Sequence, residues 1–304
     1  MPRNKKFEGD MTNVGHMRNP PFAQLPDIHK IFEKRHLRFE KLAKTSPIKD
    51  YVEFLKFFTK AQQDVADNFR NANFPTIDTE RAHSFKMPPI ERSALIHLPL
   101  FKEVMRSFLE RLNKAPLQTG SRMALENTLT NENNWSLWAS HIIEQKIPDD
   151  TIAQHIFVTG ALQIILTLAT QKLDTKKLQA FEHNLCPACG GTHSASMIVG
   201  WPSAEGARFC SCLYCGTLWH YVRIKCTFCV QTKGIGYKEI EGGPGSILAE
   251  TCDECGDYCK QMNHQKDSSF DVFADDIGSI ALDMLMKNNN SFKRGAFNPF
   301  LIGY

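Results

Sequence analysis

Eight cysteines form the one pattern in this 304-residue chain that is spaced for chemistry. They make four Cys-x-x-Cys pairs: Cys186/Cys189, Cys212/Cys215, Cys226/Cys229 and Cys252/Cys255. Twenty-two residues separate the first pair from the second, and again the third from the fourth. A shift of 40 positions carries each pair onto its counterpart, so one unit, Cx2C-x22-Cx2C, is written twice. Two residues between thiols let a tight turn aim both sulfurs at one ion. A second turn arriving across a hairpin completes a tetrahedron, with bonds of ~2.3 Å to zinc. A ribbon of about 30 residues is too small for a self-sufficient core, so the metal supplies folding free energy. Gly190, Gly216 and Gly256 each follow the second cysteine of a pair, where the turn needs positive φ or close approach to sulfur. The expected cofactors are two metal ions, each held tetrahedrally by four cysteine thiolates. Sequential pairing follows from the duplication, and an interleaved cross-brace satisfies the same count.

A disulfide-bonded secreted domain is the alternative reading of ten cysteines, and the sequence argues against it. Residues 1–20 hold no apolar signal core and no twin-arginine motif, and a chain of this length does not need disulfides to be stable. A cytoplasmic protein is expected. Redox catalysis by a single Cys-x-x-Cys would not need four pairs in register. Cys210 and Cys259 have no repeat mate and read as small packing thiols. His193 and His220 lie inside the ribbons, but with four thiols per site they read as packing or partner-contact residues.

Composition narrows the partners. Net charge is +3, with 42% hydrophobic and 23% charged residues, as in an ordinary globular protein. The ribbon segment 186–259 carries five basic residues against seven acidic ones, and each metal-loaded tetrathiolate adds further negative charge. A ribbon that grips phosphates should be basic, so nucleic-acid binding is disfavoured even though Trp201, Trp219 and Tyr221 could stack on bases.

The elements that must position the ribbons are helical. The chain divides into a polar arm (1–22), a helical domain (23–180), a first ribbon (181–221), a second ribbon (222–265) and a closing helix with tail (266–304). Ile28, Phe32, Phe39 and Ala43 share one helix face, opposite Lys34, Arg35, Arg38 and Lys41. Ser46-Pro47 reads as an N-cap and first helical position. Behind it, Tyr51, Phe54, Leu55, Phe58, Ala61, Val65 and Phe69 recur with helical period. Residues 72–92 read as a loop, and further helices are expected near 99–114, 121–146 and 150–173. The run His155–Thr170 is short of the ~20 residues of a membrane span and reads as a buried helix. Phe273, Ile277, Ile280, Ala281, Met284 and Leu285 predict one last amphipathic helix. Asp275 and Asp276 in its first turn suit the helix dipole or a partner contact, and Asn298-Pro299-Phe300 reads as a turn or docking segment. The fold class is α+β: an all-helical N-terminal domain, two tandem metal ribbons and a C-terminal helix.

No glycine-rich phosphate loop, HExxH or serine–histidine grouping is present, so the chain reads as a binding protein and not an enzyme. The segments CPACG (186–190), LYCGTLWHYVRIKCTFC (213–229), AETCDECG (249–256), FADDIGSIALDMLM (273–286) and NPF (298–300) together resemble the FdhE family of formate dehydrogenase accessory proteins. Cys210, Cys259 and Gly278 depart from that pattern without touching an expected ligand. The resemblance implies rubredoxin-like ribbons, whose two metal ions would be iron or zinc, and a cytoplasmic assembly factor. Its partner would be the catalytic, molybdopterin-bearing subunit of respiratory formate dehydrogenase. Trp219, His220 and Arg223 are the candidate contact residues between the knuckles, beside Asp275 and Asp276. Homodimerisation is left open. A nucleic-acid-binding zinc ribbon and a rubredoxin-like electron carrier are the competing classes. Replacing Cys186 and Cys189 together is expected to loosen the C-terminal part while leaving the helices folded.

Overall fold

Apolar periodicity builds a helical layer first and a sheet second. A two-residue strand, β1 (Ala23–Gln24), leads into α1 (Ile31–Leu42), α2 (Lys49–Phe69), α3 (Thr79–Ser84) and α4 (Arg92–Leu95). Then come α5 (Pro99–Asn113), α6 (Thr119–Thr130), α7 (Trp135–Ile143) and α8 (Ile152–Thr170). The strands are β2 (His193–Ile198), β3 (Arg208–Cys212), β4 (Leu218–Tyr221), β5 (Ile235–Lys238), β6 (Ile247–Cys252) and β7 (Asp257–Asn263). Helices α9 (Val272–Gly278) and α10 (Ile280–Asn288), strand β8 (Lys293–Arg294) and a 3-10 turn at Pro299–Leu301 close the chain. The computed structural model describes residues 20–180, 184–288 and 292–302; residues 1–19 of the expected polar arm lie outside them.

Helix α8 is the axis of the helical layer, with every residue from Phe157 to Thr170 buried. By length and composition the span Asp149–Thr170 could cross a membrane, yet it is mostly buried inside the protein. Phe58 of α2 packs against Phe157 of α8 and meets Phe108 of α5 edge to face at 4.9 Å. Such aromatic pairs add about 0.5–1.5 kcal/mol beyond their buried area.

Four local expectations are corrected. Residues 72–92 contain α3, capped by Asp78, whose side chain accepts from the Arg81 N–H at 2.9 Å. The stretch 121–146 is two helices, broken by a 3-10 turn at Glu132–Asn134. Ser46 does not cap α2; its hydroxyl accepts from the Ile48 N–H at 3.2 Å, and the helix begins at Lys49. The closing helix breaks at Ser279, whose hydroxyl donates to the Asp275 carbonyl at 2.6 Å and so competes with helix continuation. The break rotates α10, so Leu282 and Met286 face the core while Ala281, Met284 and Leu285 face solvent.

The sheet shows the duplication directly. Strands β2, β3 and β4 form one antiparallel unit with β3 central, and β5, β6 and β7 form the second with β6 central. The first strand of one unit joins the last strand of the other: β2 pairs β7 in parallel, Ser196 opposite Gln261. This head-to-tail join leaves one outer edge per unit. β1 covers the edge at β4, with Ala23 opposite Trp219, whereas β5 ends the sheet on the other side.

Candidate metal centres

Each cysteine pair sits on a tight knuckle, and the backbone explains why. The Gly190, Gly216 and Gly256 amides donate to the carbonyls of Cys186, Cys212 and Cys252 at 2.8, 3.2 and 2.9 Å. All three glycines have positive φ, 67°, 74° and 73°. The fourth knuckle makes the same bend without glycine: Val230, after Cys229, sits at φ 69°. For a β-branched residue that conformation is a strained outlier.

The knuckles meet in sequential pairs. Cys186, Cys189, Cys212 and Cys215 converge in one cluster, and Cys226, Cys229, Cys252 and Cys255 in the other. In the first, Cys186–Cys215 and Cys189–Cys212 sulfurs are 3.6 Å apart. In the second, Cys226–Cys255 sulfurs lie at 3.8 Å and Cys229–Cys252 sulfurs at 3.6 Å. These are far from the ~2.05 Å of a disulfide. They match the ~3.8 Å edge of a tetrahedron with ~2.3 Å metal–sulfur bonds. The donor set therefore fits a tetrahedral thiophilic ion in each cluster. Thiolate tetrahedra suit both zinc and iron.

The surroundings of the two clusters differ. All four cysteines of the first are buried and belong to the same hydrophobic core as α1, α2, α5 and α8. The helical layer grips both its knuckles: the Ile90 N–H donates to the Ala188 carbonyl at 3.0 Å, and Arg92 donates to Gly190 at 3.0 Å. From α8, Gln163 and Thr167 donate to the Leu213 and Cys215 carbonyls at 2.9 and 3.3 Å. The Tyr214 hydroxyl donates to the Ile142 carbonyl at 3.1 Å. In the second cluster Cys226 and Cys252 are buried, but Cys229 and Cys255 are half-exposed, and Asp253 and Glu254 stand exposed on its last knuckle.

Cys210 and Cys259 stand clear of both clusters. Burial inside the sheet pushes both thiols up, Cys210 to about 12, so they are inert packing groups. His193 is buried between the ribbons, stacked on Phe228 at 5.0 Å and bonded through Nε2 to the Thr227 hydroxyl at 2.9 Å.

The proposed contact residues fare unequally. His220 is half-exposed and Arg223 exposed, beside exposed Val222 (52%) and Ile224 (66%). Trp219 is buried under β1, and Asp275 and Asp276 are buried beneath the sheet, which corrects their reading as accessible contacts. Asp275 takes a bidentate grip from Arg38 of α1, with Nε at 2.9 Å and Nη2 at 2.7 Å. Asp276 is held by Arg294 at 2.6 Å, Asn298 at 2.9 Å and Lys260 at 3.3 Å. Burial pushes the Asp276 carboxyl up, but Arg294 and Lys260 outweigh it and hold it below the usual carboxylate range. A buried carboxylate needs such partners. Sequence reasoning missed those partners because Arg38, Lys260 and Arg294 lie far from it along the chain. Arg35, expected on the polar face of α1, is also buried.

Comparison with known proteins places this architecture in a family. Three family models, described as FdhE N-terminal, central domain and C-terminal domain, match residues 20–182, 185–223 and 224–301. The chain is similar to a protein FdhE homolog of Rhizobium meliloti (strain 1021), 36% identical over 97% of both chains. It is also similar to one from Stutzerimonas stutzeri (strain A1501), 30% identical over 93% of this chain and 92% of that one. The crystal structure of the FdhE protein from Pseudomonas aeruginosa matches with a TM-score of 0.81 and 28% identity, over 93% of this chain and 99% of that one. With both tetracysteine clusters in place and its whole described length matched, this chain belongs to the FdhE family.

Proposed function

We propose that this chain is a non-enzymatic, cytoplasmic accessory protein that binds the catalytic, molybdopterin-bearing subunit of a formate dehydrogenase during its assembly. The observation that carries this reading is the pair of tetracysteine clusters built into an FdhE-family chain matched over 97% of its length. Each set of four cysteines would hold one iron or zinc ion, and the ions fix the ribbon geometry. The client would meet the ribbon junction, where Val222, Arg223 and Ile224 stand exposed beside His220. Exposed apolar side chains around an arginine are the composition of an interface anchor.

An anaerobic pull-down with the tagged chain, with metal determined on the same eluate, tests this. Wild-type protein should recover the catalytic subunit with two metals per chain, and an R223E/I224D variant should keep the metals and recover at least roughly tenfold less client. A metal-replete chain that recovers no formate dehydrogenase subunit would sink the reading.

A further inference from the structure

The two clusters share a ligand set and little else. Around the first, two arginines reach in from the helical layer, one per knuckle. Arg35 of α1 is 3% exposed, and its Nη2 lies 3.7 Å from where a Cβ on Gly216 would sit. Burial is the largest influence on its guanidinium and lowers its pKa, opposed by Asp271 and by Cys212 and Cys215. Its Nε and Nη1 have no hydrogen-bond partner, and its one carboxylate neighbour, Asp271, stands 3.8 Å away. Arg92 of α4 bonds the Gly190 carbonyl and stacks 5.2 Å from the Tyr214 ring, leaving a buried Nη1 unpartnered. Packing seals the same cluster. A Cβ at Gly216 would meet Ile31 at 2.3 Å, and one at Gly191 would meet Tyr214 at 2.5 Å and the Cys212 sulfur at 3.1 Å.

The second cluster is more open: Arg208 bonds the Lys225 carbonyl beside Cys226 at 3.2 Å, but its charge is taken by Glu250 at 2.7 Å. A Cβ at Gly256 would meet nothing within 4 Å. On its last knuckle the flanking charges are acidic, with Asp253 and Glu254 exposed and Asp257 half-buried, while Lys225 precedes Cys226 on the other. One of its two knuckles is bent at a strained valine, Val230.

We propose that the two metal centres are chemically inequivalent: the first is a permanent core staple whose charge is balanced by Arg35 and Arg92, and the second is the exchangeable, solvent-reactive site. Four thiolates on a divalent ion carry a net charge of −2, which costs heavily to bury without counter-charge. Two arginines with spare donors supply that counter-charge at the first site, and both act as positioning residues because neither is a ligand. The second site leaves Cys229 and Cys255 open to solvent, so an incoming chelator or thiol reaches its sulfurs without unfolding anything. Its acidic knuckle also attracts cations. The inequivalence requires metal in both clusters and is independent of which client the chain binds.

Timed competition with a chromophoric zinc chelator tests it on the full chain loaded with zinc, with isotope-coded alkylation and mass spectrometry reading each cysteine. Two equivalents of zinc should leave in two phases of one equivalent each. Cys226, Cys229, Cys252 and Cys255 should be alkylated in the fast phase, and Cys186, Cys189, Cys212 and Cys215 in the slow one. An R35Q/R92Q variant should accelerate only the slow phase, by the roughly 10–100-fold typical of groups that support a metal's ligands. V230G, which relieves the strained knuckle without touching a ligand or the core, should slow only the fast phase. One common rate, alkylation of the first cluster before the second, or fewer than two zinc ions per chain would overturn the proposal.

Discussion

The two ribbons were written from one repeat, and the difference in their fates shows what surroundings add to a ligand set. The first ribbon lies on the helical layer. Its cysteines share a core with Phe58 and Phe108, and its carbonyls are taken by Gln163, Thr167, Arg92 and the Ile90 amide. The second hangs from the first through the β2–β7 pairing and the buried ion pair of Arg208 with Glu250 at 2.7 Å. A small metal ribbon draws its folding free energy from its ion when it stands alone. Merged into a larger core, the same ribbon lends stability to its host and loses its accessibility.

The largest effect should come from breaking the two clusters separately. The structure reverses the expectation that C186S/C189S leaves the helices folded, because that knuckle is part of their core. A structural zinc site is worth about 10–16 kcal/mol to a small peptide fold, as much as the whole stability of a typical domain. C186S/C189S should therefore abolish a cooperative thermal transition by circular dichroism. C252S/C255S should lose one metal and keep the helical signal and a transition. Equal damage from both variants would mean that the second ribbon is as integral as the first.

A smaller effect should separate the sheet from the ribbons it carries. Asp276 gathers Lys260, Arg294 and Asn298 beneath β7. D276A leaves Lys260 and Arg294 sharing Asp283 as their remaining carboxylate partner and should cost about 3–5 kcal/mol in denaturant unfolding. The pH dependence has a definite sign. The folded carboxyl lies below its usual value, so its stabilisation is complete above the unfolded pKa of about 3.9. It is lost as the pH falls below that value and through the folded one. D276N should flatten that acid limb while leaving neutral-pH metal content unchanged; an unaltered limb would place the acid sensitivity elsewhere.

The smallest effect belongs to one backbone angle. Val230 at φ 69° should store about 1 kcal/mol, and V230G should raise stability by up to that amount, less the entropy that glycine adds to the unfolded chain. No gain in melting temperature would show that the surrounding sheet already absorbs the strain.

Much of the site was legible from the chain alone. The eight ligands, their grouping by a 40-residue shift and the glycine bends at three knuckles follow from spacing, because a knuckle is local: its geometry is fixed within four or five residues. The apolar period likewise marked α2, α5 and α8, since a face buried every 3.6 residues is written into the sequence. Long-range partners were not legible. Asp275 and Asp276 read as serving the helix dipole or a partner contact, and Asn298-Pro299-Phe300 as a turn or docking segment, which it is, but the sequence named no partner for any of them. In the fold, Asn298 donates to Asp276 and Phe300 packs on Phe58 and Phe273 at 5.6 and 5.0 Å. The repeat made the two centres look equal. Only the tertiary structure decided that one is buried among arginines and the other left half-open among acids, because burial and counter-charge come from residues that the local pattern does not contain.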